Sequence, residues 1–119
     1  MSGEFRRERL AREIFRQVSL VLLHEAKDPE FAMVTVTRVE LSPDFSSARI
    51  LVSGMGRQGP EVENRIRRMN RARGFIGMRV NQLIGLRKAV EVRFAYDKGA
   101  DNVEKVEREI RKLREEGRS

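Results

Sequence analysis

Hydrophobic residues recur along this chain in two rhythms. Leu10, Ile14, Val18 and Val21 follow the spacing of one amphipathic stripe, which predicts a helix from about Glu4 to Ala26. Lys27-Asp28-Pro29 ends it, because the residue before a proline is pushed out of the helical region. The second rhythm alternates. Met33 to Leu41 is rich in β-branched residues, and its inward face changes between Val36 and Val39, which points to a bulge. Ser42-Pro43-Asp44 is turn chemistry. Ala48, Ile50 and Val52 then alternate with Arg49, Leu51 and Ser53, so a second strand returns as an antiparallel hairpin.

The helical rhythm resumes with Val62, Ile66 and Met69, and again with Ile76, Val80, Leu83 and Ile84 beyond Ala72-Arg73-Gly74. The glycine favours a kink or two separate helices over one rod. Val90, Val92, Phe94 and Tyr96 form a third strand, and Val103, Val106, Ile110 and Leu113 a last amphipathic helix. Asp101 is its expected N-cap with Glu104 three residues on, and Glu104–Arg108 and Glu107–Arg111 are favourably ordered pairs. The order α-β-β-α-(kink)-α-β-α predicts an α+β fold, a three-stranded sheet with helices packed on one face. Residues 1–98 form the expected domain, and 99–119 a charged C-terminal helix or tail.

Composition narrows the function. At 119 residues the chain fits one domain. It has no cysteine and one histidine, which excludes a disulfide scaffold, thiolate chemistry and a zinc site; no metal or cofactor is expected. No apolar run approaches a membrane span, and the first residues lack an apolar leader, so a cytoplasmic protein without a membrane partner is expected. The formal charge is +7, and residues 57–98 hold the whole surplus, with 11 basic against 4 acidic side chains. So concentrated an excess is the footprint of a polyanion binder. Its plainer alternative is a set of solvated arginines on helix faces.

Gly54-Met55-Gly56-Arg57-Gln58-Gly59 spells GxGxxG between a strand and a helix. A dinucleotide fold needs a parallel strand before it and an acidic residue about 20 positions later. Here the strand belongs to a hairpin and Arg79 occupies that position, so a mobile loop is the better reading and a nucleotide-dependent enzyme the weaker one. The second helix is more informative. Arg67, Arg68 and Arg71 fall opposite the Val62, Ile66 and Met69 stripe and lead into Ala72-Arg73-Gly74. Gly74 lets a backbone approach closely, at the point where the next helix would offer free N–H groups and a positive dipole end. Arg73 and Arg79 flank that point, and Arg87, Lys88 and Arg93 follow, together an expected phosphate clamp. Phe75, beside it, is the aromatic residue to test for base stacking. No triad or carboxylate pair suggests catalysis.

Arg6-Arg7-Glu8-Arg9-Leu10, Lys27-Asp28-Pro29, Val34 to Asp44 and Asn70-Arg71-Ala72-Arg73-Gly74-Phe75-Ile76, in this order and spacing, resemble the ribosome-binding factor A family over residues 4–97. The resemblance implies a type II KH-like domain in which an Ala-x-Gly kink, here Ala72-Arg73-Gly74, replaces the usual GxxG clamp. In that register Phe75 and Ile76 pack inward. Val90 stands where the family commonly has proline, and Gly77 and Gly85 where it often has longer side chains. The family's role implies a non-catalytic, RNA-binding assembly factor of the small ribosomal subunit. It would act as a monomer on 16S rRNA in late maturation, including 5′-end processing and growth in the cold. The alternative is a general RNA-binding KH-like protein without ribosomal specificity.

Overall fold

The stripe on the first helix sets the depth of the core. In a computed structural model describing residues 3–54 and 59–117, α1 (Gly3–His24) buries Ile14, Val18, Val21 and Leu22. The Glu25 and Ala26 amides both donate to the Val21 carbonyl, so the helix closes two residues earlier than expected. A 3₁₀ turn then occupies Pro29–Met33, taking in Met33, the first residue of the expected strand. Asp28 caps this turn, its carboxylate accepting from the Glu30 amide at 3.0 Å, and Phe31 is buried beneath.

β1 (Thr35–Leu41) and β2 (Ser47–Ser53) form the antiparallel hairpin, and β3 (Glu91–Tyr96) adds parallel to β2. The sheet order is β1-β2-β3. The expected bulge is present: Val36 pairs with Val52 and Arg38 with Leu51, leaving Thr37 as the extra residue. Asp44 ties the hairpin turn, accepting from the Ser42 and Ser46 hydroxyls and the Ser46 amide; these bonds hold its pKa down at about 2. Leu51 and Ser53 are buried together with Ala48, Ile50 and Val52 on β2, the middle strand of the sheet.

Two helices, α2 (Pro60–Arg71) and α3 (Arg73–Ile84), connect β2 to β3. A Cβ on Gly77 would lie 3.3 Å from Val92 Cγ2, so glycine lets α3 come close to the sheet. Gly85 ends α3 in the left-handed conformation, φ 77°. Two asparagines cover the outer edge of β3. Asn70 donates to the Phe94 carbonyl and accepts from the Phe94 amide, and Asn81 does the same for Val90. Edge groups that would otherwise invite another strand are thereby satisfied.

α4 (Lys98–Glu116) starts three residues before the expected cap, with Asp97 accepting from the Ala100 amide at 3.1 Å. The side chains of Asp101, Glu104 and Lys105 lie outside the described residues, and with them the Glu104 pair. So do Met55 to Gln58, the interior of GxGxxG. Among the described residues no helix is long and apolar enough to cross a membrane.

Candidate nucleic-acid interface

α2 begins on Pro60, which tolerates a first helical position, and turns Val62 and Met69 into the core. Arg67 and Arg71 project on the opposite side, one turn apart, and both are exposed. Arg67 Nη1 donates to Asn64 Oδ1 at 3.0 Å. Arg68 departs from the expected open face. Its Nη1 lies 3.4 Å from Asp28 Oδ2 and its Nη2 donates to Glu30 Oε2. The bond to Glu30, more than the nearby charges, raises the Arg68 pKa above its ordinary value. Helical phase alone could not reveal this, since Glu30 lies 38 residues earlier.

Arg65 was not anticipated at all. It is 4% exposed, and its Nη2 lies 3.8 Å from Glu30 Oε1. Among the described residues its Nε has no hydrogen-bond partner. Arg65, Arg68 and Arg71, spaced three apart, line a polar cleft of about 370 Å³ with Glu30, Glu61 and Asn64. That spacing was the available signal.

Ala72 makes the corner, at φ −90° and ψ 2°. Its amide donates to the Arg68 and Met69 carbonyls, and its carbonyl accepts from Ile76 at 3.1 Å. The amides of Arg73, Gly74 and Phe75 therefore precede the first rung of α3, where the dipole favours anions. The first turn of α3 contains no acidic residue, and a Cβ on Gly74 would meet nothing within 4 Å. Ile76 is buried as expected. Phe75 is not: it is 46% exposed, because it lies about 200° around the helix from Gly77, the residue that packs against Val92. With Phe31, Ala72 and Ile76 it lines a recess of about 530 Å³ that also includes Lys27 and Arg71.

On the other side of the corner, Arg73, Gly74, Gly77, Asn81 and Arg87 border a groove of about 740 Å³ against the start of β3. Lys88 is exposed next to Arg87. Arg79 is occupied instead, its Nε donating to Glu25 at 2.6 Å and its Nη1 to Gln82 at 2.9 Å; the Glu25 bond raises its pKa. Arg93 alternates with buried Val92 and Phe94, so it lies on the sheet face away from the helices, paired in register with Arg49. Arg67, Arg71, Arg73, Arg87 and Lys88 thus surround the corner without an ion pair among the described residues. Arg68 and Arg79 are neutralised by carboxylates, and Arg93 is apart.

This architecture is shared. The family described as ribosome-binding factor A matches residues 6–110. A Clostridium perfringens ribosome-binding factor A is 32% identical over 114 residues, covering 95% of this chain and 98% of that protein. One from Azotobacter vinelandii is 32% identical over 94 residues, covering 77% and 73%. Among solved structures, the solution structure of a Thermotoga maritima protein described as a ribosome binding factor A superposes with TM-score 0.63. It is 32% identical, and the match covers 83% of this chain and 93% of that one. The crystal structure of ribosome-binding factor A from Thermus thermophilus gives TM-score 0.64 at 21% identity, over 76% and 94%, and supports the fold. By matched length and KH-like architecture together, the chain belongs to the ribosome-binding factor A family.

Proposed function

We propose that this protein binds the immature small ribosomal subunit through 16S rRNA and assists late 16S maturation, including 5′-end processing, without catalysing a step itself. The carrying observation is the unopposed cationic corner: Arg67 and Arg71 before Ala72, Arg73 and Arg87 after it, around an unobstructed Gly74. Guanidinium groups and helix-start amides are the donors that phosphate oxygens take. Arg68 and Arg79 join the contact only by exchanging a carboxylate for a phosphate, and Arg93 only where RNA reaches the outer sheet face. A family relative from Thermus thermophilus, fitted into a map of a 30S complex, supports the small subunit as partner. On this reading the KH-like body acts as one copy per subunit, in the cytoplasm.

The test is co-sedimentation of the protein with immature subunits, mature subunits and an unrelated structured RNA at matched salt. Selective retention on immature subunits is expected, with affinity falling by several units of log–log slope as salt rises. Equal binding to all three would favour general RNA binding.

A further inference from the structure

The last helix carries an apolar face with no cover among the described residues. Val103, Val106, Ile110 and Leu113 are 57%, 56%, 44% and 67% exposed. Their spacing of three, four and three residues is a two-heptad seam, narrower than the stripe by which α1 enters the core. With Val103 and Ile110 at a, and Val106 and Leu113 at d, the Ile110–Leu113 heptad has the β-branched a and leucine d that favour two parallel strands, whereas the Val103–Val106 heptad has valine at both and leaves the choice to the flanking charges.

The flanking charges choose the same arrangement. Glu109 falls at g and Arg114 at the following e. In a parallel pair each Glu109 faces Arg114 of the second copy, twice by symmetry. An antiparallel pair that kept the same apolar layers would set Glu109 against Glu109 and Glu107 against Glu107. Among the described residues, Glu109 and Arg114 make no ion pair within their own chain. Residues 99–119 hold six basic and six acidic side chains, so net charge gives this helix no pull toward RNA or an anionic membrane. We propose that α4 pairs with α4 of a second copy as a short parallel coiled coil. Two heptads are at the small end of interface sizes, so the pair is weak and depends on concentration. The expected monomer is its dilute form.

Sedimentation equilibrium of the full chain, from low-micromolar to submillimolar concentration, tests this. A monomer–dimer equilibrium is expected, abolished by Ile110→Asp without change in the melting of the body. Glu109→Arg or Arg114→Glu alone should weaken it several-fold, and the double exchange should restore it. The absence of native cysteine makes orientation readable. Leu113→Cys should oxidise to a linked dimer, because equivalent d positions adjoin in a parallel pair. A monomer at every concentration would overturn the proposal. So would a dimer that Ile110→Asp leaves intact, or cross-linking only between Val103→Cys and Leu113→Cys chains.

Discussion

Arg68 on α2 donates to Glu30 in the 3₁₀ turn, tying together two segments 38 residues apart in sequence. The same carboxylate stands 3.8 Å from buried Arg65. Glu30 therefore sorts the arginines of α2 into those that hold the fold and those, Arg67 and Arg71, that make no ion pair among the described residues.

That division predicts different phenotypes one helical turn apart. Arg71→Ala should weaken RNA binding across sequences and lower the log–log salt slope by about 1, with melting unchanged. Arg68→Ala should lower the melting temperature and leave the slope near its original value. Glu30→Gln should leave Arg68 held by Asp28 alone, raise the slope by no more than about 1 and destabilise the turn. Filter binding over a salt series, with thermal melts of each variant, checks all three. A slope loss in Arg68→Ala equal to that in Arg71→Ala would refute the division.

Two glycines of α3 should respond oppositely to alanine. At Gly77 the added Cβ would press on Val92 Cγ2, which belongs to a buried β-branched residue with little room to yield. Gly77→Ala is expected to cost about 1–2 kcal/mol. At Gly74 the space is open, so Gly74→Ala should be neutral, or stabilising by about 0.5–1 kcal/mol through helix propensity. If RNA backbone approaches there, the same variant binds more weakly although it melts no lower. Denaturation and RNA titration of the pair separate packing from recognition.

Acid should loosen the start of α4 before the hairpin turn. Asp97 accepts from the Thr37 hydroxyl at 2.6 Å and from the Ala100 amide at 3.1 Å, bonds that lower its pKa, Thr37 most. A carboxylate with a lowered folded pKa stabilises fully above its unfolded value, near 3.9, and loses that contribution as pH falls through the folded one. Thr37→Val should move this loss to higher pH, and Asp97→Ala should remove about 1 kcal/mol of capping at neutral pH. Asp44, at about 2, should stay ionised further into acid. Carboxylate chemical shifts followed against pH give both midpoints; equal Asp97 midpoints in parent and Thr37→Val would contradict the assignment.

Asn70 serves the sheet edge. Asn70→Ala would leave the amide and carbonyl of buried Phe94 without its side-chain partner, at about 1–3 kcal/mol. Chemical denaturation should show the loss, and faster hydrogen exchange at Phe94 should accompany it. Unchanged exchange there would exclude this role.

Much was written locally. The α1 stripe, the alternation of three strands, the bulge near Thr37 and the corner at Ala72 each depend on residues a few positions apart. Period and turn chemistry read such distances directly. The confinement of positive charge to residues 57–98 is likewise a property of the chain alone. Tertiary structure decided which charges remain open. Arg68 meets Glu30 and Arg79 meets Glu25 only once distant segments pack. It also exposed Phe75, buried Leu51 and closed the edge of β3 with Asn70. An ion pair or a covered face needs two segments in one place, and no periodicity within either segment carries that information.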